Sequence, residues 1–248
     1  MLIGRYRFRP PLVPTLAVLI LLPILLGLGF WQLDRAEQKR TIQAEYDARS
    51  QGPEVKIDSA LQAADDLRFY RVLVEGNYDP EYEVLIDNRI HAGRAGYHVI
   101  TPLKLRGSRV RVLVNRGWVP VGSNRQELPQ TAAPTGLQKI TGVATVPRAK
   151  VFMLAEPDPL GEQWQRVWQH MDMNRYAQAV PFPVQPVVVL LDPENAAGGF
   201  VREWARLDAG IAVHRGYAVQ WFLFATVLLI MYVVLNVKPG ASDPDAGT

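Results

Sequence analysis

The sequence contains no cysteine, and this absence limits the chemistry available to the protein. Disulfide frameworks, thiolate nucleophiles, zinc fingers and iron–sulfur clusters are all excluded. An extracytoplasmic location stays open, because oxidising compartments permit disulfides without requiring them. Histidine is also scarce, with four residues in a chain of 248, so few positions can supply an imidazole ligand or base.

The sequence also lacks a block of like charge and the common catalytic motifs. The net charge is +3, and basic residues interleave with acidic ones, so we expect no nucleic-acid partner. Walker A, dinucleotide-binding glycine, G-x-S-x-G and H-E-x-x-H patterns are absent. The carboxylate pairs Asp65/Asp66 and Asp192/Glu194 fall in predicted loops, where solvated turns explain them. The sequence therefore favours a protein that is not an enzyme, with an unrecognised hydrolase as an alternative.

Two long uncharged runs, one near each end of the chain, indicate a membrane protein. They cover the 24 residues from Pro10 to Leu33 and the 22 residues from Gly216 to Val237. At about 1.5 Å per residue, each run spans about 33 Å or more, enough to cross a hydrocarbon core of about 30 Å. We predict transmembrane helices at residues 12–33 and 214–237. The alternatives are a cleaved signal peptide for the first run and a buried core helix for the second.

The charges beside these runs predict the orientation. The N-terminal tail, residues 1–11, carries Arg5, Arg7 and Arg9 and no acidic residue, which favours the cytoplasmic side. Two spans place the C-terminal tail, residues 238–248, on that same side. We therefore expect a multi-pass protein of a bacterial inner membrane, in contact with the lipid bilayer, with residues 34–213 in the periplasm. The bacterial assignment follows from the nine residues before the uncharged run, too few for a mitochondrial presequence.

The middle segment is predicted to be an α+β domain with a mainly antiparallel sheet. Asp34–Ser50 is rich in helix formers and is expected to continue the first span as a helix. Period-two alternation in Tyr70–Val74 and Arg109–Val114 indicates half-buried strands, and Gly76-Asn77 is typical of a turn. Short connections favour antiparallel pairing. Further elements are predicted as strands at 83–90, 97–105, 139–146 and 186–191 and as a helix at 172–179.

Two arginines end similar segments, Val84–Arg89 and Val112–Arg116, in which a hydrophobic strand runs into Asn-Arg. If the fold brings Arg89 and Arg116 together, their guanidiniums suit bidentate binding of a carboxylate. The alternative is that each arginine makes structural ion pairs or hydrogen bonds at a strand end.

His214 is the only histidine beside a predicted span. His91, His98 and His170 fall within the middle domain, where structural roles are more common. An imidazole at the membrane surface can ligate a haem iron or another metal, and the alternative is an interfacial polar anchor.

Several segments, taken in chain order, resemble the surfeit-locus family of cytochrome c oxidase assembly factors. The resemblance runs from about residue 29 to residue 224 and includes the two-span plan. The segments that carry it are Gly29–Lys39 (GFWQLDRAEQK), Gly76–Asp79 (GNYD), Asn88-Arg89, Gly96–Leu103 (GYHVITPL), Val114–Pro120 (VNRGWVP) and His214–Phe222 (HRGYAVQWF).

The resemblance implies a helper in building a haem-copper oxidase, assisting delivery of haem a to the catalytic subunit. The partners it implies are that subunit and other oxidase assembly factors, and the cofactor is haem a, held transiently. A histidine before the second span is the family's proposed haem ligand, and His214 matches that place. Arg215 stands where many members have an apolar residue, and it can pair with a haem propionate.

Tyr217 and Trp221 complete the expected cofactor-binding set with apolar and aromatic surface for the macrocycle. The alternative function is a membrane-anchored periplasmic binding or sensor domain with no haem role.

Overall fold

The computed structural model describes residues 2–3, 6–8, 10–122, 127–147, 164–204 and 210–239. Most of the predicted tail at 238–248 and part of the tail at 1–11 therefore lie outside the described residues. The chain divides into two compact units. One comprises residues 1–44 and 206–248, and the other, called the barrel unit below, comprises residues 45–205.

Four α-helices lie within the described residues. They are α1 (Leu12–Ser50), α2 (Ala64–Leu67), α3 (Met173–Ala179) and α4 (Ile211–Asn236). By length and composition, α1 and α4 are suited to crossing a membrane. The uncharged run and the charged segment after it form a single helix, α1, which contains Pro23 and continues through residue 50.

Eleven strands accompany these helices in the described part of the chain. They are β1 (Leu2–Ile3), β2 (Tyr6–Phe8), β3 (Val55–Lys56), β4 (Arg71–Tyr78), β5 (Val84–His91), β6 (Arg94–Leu105), β7 (Arg111–Pro120), β8 (Gln138–Thr145), β9 (Val167–Trp168), β10 (Val184–Leu191) and β11 (Val237–Pro239). β1, β2 and β11 form a small antiparallel sheet, with Lys238 opposite Arg7. This sheet pairs the N-terminal tail with the segment after α4.

The other eight strands form a mixed sheet that closes as a barrel. The ring runs β4, β8, β10, β7 and β6, and β6 pairs back with β4. β10 and β7 are parallel, as are the shorter pairs β3–β4 and β5–β9. The expectation of a mainly antiparallel sheet therefore needs correction. After β8 the chain passes through α3, and β10 then enters the ring parallel to β7. The periodicity of a strand does not indicate whether it pairs parallel or antiparallel to its neighbour.

Gly76 explains how the barrel closes. The sequence predicted a turn at Gly76-Asn77, but β4 continues through both residues to Tyr78. A Cβ at Gly76 would lie 2.1 Å from the carbonyl oxygen of Lys104, so a glycine is needed where β4 approaches β6. β6 consequently pairs with β5 through its first part and with β4 near its end, at Leu103–Leu105.

Strand β7 is buried on both faces, whereas the sequence predicted a half-buried strand. Val112 and Val114 belong to a core cluster to which all five ring strands contribute. Leu113 points the other way and packs in a second cluster with Tyr176 of α3. Asp172 caps α3: its Oδ1 accepts hydrogen bonds from the backbone N–H groups of Asn174 and Arg175, at 2.9 and 3.0 Å. The capped helix covers the face that periodicity alone assigns to solvent.

Candidate functional site

The four residues expected to bind a cofactor lie in the first three turns of α4. His214 belongs to the first turn, where its backbone N–H donates to the carbonyl oxygen of Gly210 at 3.0 Å. His214 and Trp221 are half-buried and, being seven residues apart, share one face of α4. Arg215 and Tyr217 are exposed, the latter at 50%. Tyr217, three residues after His214 and four before Trp221, lies on the same side of α4 but is more exposed, whereas Arg215 projects from a different side.

That face of α4 packs against α1 along a surface that we call the helix seam. Its buried positions include Gly29 and Ala36 on α1 and Ala218 and Ala225 on α4, and each pair is seven residues apart. Small residues let two helices approach closely in a membrane. At Gly29 the approach is so close that a Cβ would lie 2.6 Å from the ring of Phe222.

Two polar contacts across the seam show that α1 and α4 run antiparallel. The hydroxyls of Thr15, near the start of α1, and Tyr232, near the end of α4, lie 2.8 Å apart. Towards the other end, Nδ1 of His214 lies 2.7 Å from Oε1 of Gln32. The sequence predicted both helices but neither of these contacts.

The contact with Gln32 determines which nitrogen of His214 is free. An amide oxygen can only accept a hydrogen bond, so Nδ1 carries the proton and the lone pair of the neutral ring lies on Nε2. Among the residues that the structure describes, His214 makes no other side-chain hydrogen bond. Nε2 is therefore available to a ligand.

Arg215 offers a positive charge one residue further on. Its charge contributes to lowering the pKa of the Glu37 carboxyl, although the hydrogen bond from Arg40 to Glu37 is the larger cause. That bond belongs to an ion pair with an N–O distance of 2.9 Å. Arg215 itself has no ion-pair partner in the described part of the chain, so its guanidinium can meet an anionic group.

These residue types fit a haem. A neutral imidazole with a free Nε2 is a common haem-iron ligand, and a guanidinium suits a propionate. Tyr217 and Trp221 add aromatic surface, with the Trp221 ring centroid 6.0 Å from that of Phe224. A cluster of three or more His, Asp or Glu side chains that could hold a bare metal ion is absent from the described residues.

Arg116 makes a structural ion pair, which was one of the two roles that the sequence left open. Its guanidinium and the Glu83 carboxylate form an ion pair at 3.4 Å, and each side chain is 1% exposed. Arg116 also donates to the carbonyl oxygens of Thr131 and Ala132, at 2.9 and 2.7 Å. Burial lowers the pKa of Arg116, and the neighbouring carboxylate opposes that shift. Glu83 accepts further hydrogen bonds from the side chains of Thr101, Thr131 and Arg166.

Arg89 does not join this cluster. It is half-buried, its carbonyl oxygen accepts a hydrogen bond from Nε1 of Trp118 at 2.8 Å, and its Nε is buried without a partner within the described residues. No described contact links the guanidiniums of Arg89 and Arg116, and no described carboxylate bridges them. Because Arg116 is buried and its N–H groups already donate within the protein, its guanidinium is not open to a carboxylate shared with Arg89.

The other three histidines lie in the barrel unit. Nδ1 of His98 is 3.4 Å from the side-chain nitrogen of Asn115, and burial, with the charge of Arg89, lowers the pKa of His98 to about 4. His91 faces Glu203 at 3.8 Å, and His170 is half-buried. Within the described residues, the contacts of His98 and His91 are with other side chains of the barrel unit, and the structural roles expected of the three histidines stay predictions.

A polar cavity of about 520 Å³ lies in the barrel unit, lined by Arg71, Thr141 and residues 192–195. The Arg71 guanidinium already pairs with Asp192 at 2.5 Å and with Glu54 at 3.3 Å. Asp192, which the sequence assigned to a solvated turn, is thus an ion-pair partner. The cavity is polar, but the positive charge of Arg71 is already neutralised by these two carboxylates, so it is not available to an anionic ligand.

Sequence reasoning missed Gln32 and Glu83 as partners of His214 and Arg116. The sequence did contain a sign that Gln32 needs a partner. In the first uncharged run, only Thr15, Trp31 and Gln32 have a side chain that forms strong hydrogen bonds. A polar group at the edge of a span usually finds a partner on a neighbouring helix. Glu83 carried no such signal, since nothing in the sequence marks it as buried.

Comparison with known proteins identifies the family. The model of the SURF1 family matches residues 19–226. A SURF1-like protein of Rickettsia felis is 28% identical over 89% of this chain and 95% of its own length. Surfeit locus protein 1 of Xenopus tropicalis is 25% identical over 83% of this chain and 70% of its own length, and that of Mus musculus is 24% identical over 79% and 67%. The resemblance drawn from the sequence motifs is confirmed, and the chain belongs to the SURF1 family.

Proposed function

We propose that this protein is an assembly factor for cytochrome c oxidase that holds haem a transiently at His214 for delivery to the catalytic subunit. Membership of the SURF1 family supports the role in oxidase assembly. The observation that carries the haem-binding part is the hydrogen bond from His214 Nδ1 to Gln32, which leaves Nε2 free to bind iron. Haem is cargo in this proposal, so the protein binds and releases it without catalysing a reaction.

Each residue of the predicted set has a distinct task. Nε2 of His214 binds the haem iron, and the exposed Arg215 guanidinium pairs with a propionate. Tyr217 and Trp221 contact the apolar macrocycle, which favours an environment poor in water. The catalytic subunit is the partner that would present the acceptor site, and other oxidase assembly factors are further partners.

We also infer that the protein lies in a bacterial inner membrane with the barrel unit in the periplasm. The two long apolar helices support a membrane location, and the arginine-rich N-terminal tail supports a cytoplasmic position for both tails. Pairing between β2 and β11 supports tails that lie on one side.

The orientation can be tested cleanly, because the chain has no cysteine of its own. Single cysteines replace Gln138 in β8, and Ser123 and Ser242, which lie outside the described residues. In intact spheroplasts, an impermeant thiol reagent should label positions 138 and 123 and leave position 242 unlabelled until the membrane is opened. Labelling of position 242 with protection of position 123 would reverse the orientation.

Haem binding is tested by comparing His214→Ala with His91→Ala in purified full-length protein. Loss of His214 should lower the haem that co-purifies, while His91→Ala should leave it unchanged. Trp221→Ala should lower it less, because no iron bond is lost. Full haem content with an unaltered spectrum in His214→Ala would make His214 an interfacial anchor instead.

Deletion of the gene tests the assembly role separately from haem binding. Reduced-minus-oxidised spectra of membranes from the deletion strain should lose haem a absorbance. An unchanged oxidase spectrum would instead favour the membrane-anchored binding or sensor domain.

A further inference from the structure

We propose that Gln32 is a positioning residue for His214: its amide oxygen fixes the imidazole tautomer and the direction of Nε2, and its neutrality keeps the bond to the haem iron weak enough for transfer. The inference rests on the proposed ligation of haem iron by His214. It adds a residue from the other long helix to the site, so that α1 and α4 build the binding site together.

The geometry of the contact supports a positioning role. Oε1 of Gln32 lies 2.7 Å from Nδ1, an ordinary distance for a direct hydrogen bond. Both side chains are half-buried, and each projects from a helix. Gln32 lies one helical turn from both Gly29 and Ala36, which are buried in the helix seam. The acceptor thus lies on the side of α1 that faces α4.

Without an acceptor at Nδ1, neither the tautomer nor the orientation of the imidazole is fixed. A neutral ring can carry its proton on either nitrogen, and a half-turn of the ring about the Cβ–Cγ bond places carbon atoms where the two nitrogens were. The hydrogen bond to Gln32 selects the tautomer with Nδ1–H and points the Nε2 lone pair away from α1. Histidines that ligate metals usually donate their other N–H to such an acceptor, and losing it typically costs 10–100-fold in metal affinity.

The chemical nature of the acceptor also bears on release. A carboxylate at this position would make a charge-assisted hydrogen bond and raise the basicity of the imidazole, which strengthens its bond to iron. An amide oxygen orients the ring with a smaller effect on basicity. A protein that must pass haem onward therefore benefits from glutamine here.

The test uses the full-length protein in detergent, titrated with ferric haem b as the probe. Gln32→Leu removes the acceptor, Gln32→Glu replaces the amide with a carboxylate, and Gln220→Leu makes the same change as the first variant at an exposed glutamine on α4. We expect Gln32→Leu to bind about 10–100-fold more weakly and Gln220→Leu to match the wild type. Gln32→Glu should bind at least as tightly as the wild type.

Resonance Raman spectra of the reduced complexes provide a readout that packing alone would not move. The iron–histidine stretch should rise in frequency in Gln32→Glu and fall in Gln32→Leu, because imidazole basicity follows the strength of the acceptor. If Gln32→Leu does not accumulate, the comparison of Gln32→Glu with the wild type carries the test. Equal iron–histidine frequencies in those two proteins would overturn the inference.

The remaining outcomes separate this inference from the proposed function. If His214→Ala binds haem b as the wild type does, iron ligation by His214 is wrong and the role of Gln32 fails with it. If His214→Ala loses binding but Gln32→Leu retains the wild-type affinity and spectrum, ligation stands and Gln32 is only a packing residue. Equal weakening in Gln32→Leu and Gln32→Glu would also overturn the inference.

Discussion

Removing the carboxylate of Glu83 should strongly destabilise the barrel unit. Glu83 accepts hydrogen bonds from Arg116, Arg166, Thr101 and Thr131. In Glu83→Ala, the Arg116 guanidinium, 1% exposed, loses its counter-charge, and only neutral acceptors remain for its N–H groups: backbone carbonyl groups and the Thr101 hydroxyl. Removing one partner of a buried ion pair typically costs about 3–5 kcal/mol.

That cost translates into a measurable change in melting temperature. For a unit of this size, each kcal/mol lowers Tm by about 2–4 °C, so we expect a decrease of about 6–20 °C. Near-ultraviolet circular dichroism of the full-length protein in detergent is a suitable signal, because Nε1 of Trp164 donates to the Glu83 carbonyl oxygen at 2.9 Å.

The matched control for this prediction is Glu81→Ala, two residues earlier on an exposed position. Surface substitutions usually change stability by no more than about 0.5 kcal/mol, so its Tm should stay within about 2 °C of the wild type. If the two variants melt together, the reasoning about an uncompensated buried charge is wrong.

Two further predictions concern the helix seam and a buried histidine. Gly29→Ala should speed amide hydrogen exchange in α4, because its Cβ would lie 2.6 Å from the Phe222 ring. Gly27→Ala is the control, since a Cβ there would have no atom within 4 Å. Equal exchange rates in the two variants would contradict close packing of α1 against α4 at Gly29. Burial, with the charge of Arg89, lowers the pKa of His98 from 6.5 to about 4. Between these two pH values the unfolded chain binds a proton that the folded chain does not, so the free energy of unfolding should fall as the pH is lowered from 6.5 to 4. Denaturant unfolding at pH 7 and pH 5 should show a smaller loss in His98→Gln than in the wild type, and an equal loss would contradict the prediction.

The sequence predicted the strands of the barrel unit better than their assembly. Alternating valines located β4 and β7, because a strand that buries one face must alternate. Closure of the ring depends instead on the approach of β4 to β6 at Gly76, where a glycine looked like a turn. The parallel pairing of β10 with β7 depends on a crossover, and no local pattern encodes it.

For the candidate site, too, the sequence predicted the helices but not the contacts between them. The uncharged runs predicted both long helices, and the position of His214 followed from the second run. Its contact with Gln32 depends on the register between α1 and α4, which joins residues 182 positions apart. Seven-residue spacing of small side chains such as Ala218 and Ala225 indicates which face is buried, but it does not specify the partner residue.

The two Asn-Arg segments, predicted as a ligand site, instead mark irregularities in strands β5 and β7. In β5, Asp87 and Asn88 together oppose a single residue of β6, and the same two-against-one register occurs in β7 at Arg116 and Gly117. Both places are β-bulges, which bend a strand and redirect its side chains. Positive φ values at Asn88 (58°) and Gly117 (118°) accompany them.

Side chains at each bulge stabilise this backbone. Oδ1 of Asp87 accepts from the N–H of Asn88 at 2.7 Å, and Oδ1 of Asn115 accepts from the N–H of Gly117 at 3.1 Å. The arginine of each segment then follows its own surroundings: Arg116 is buried against Glu83, whereas the Arg89 side chain makes no such ion pair among the described residues. Both segments therefore contain a β-bulge, but it precedes the arginine in β5 and includes the arginine in β7. The destination of each guanidinium is decided by residues distant in the chain.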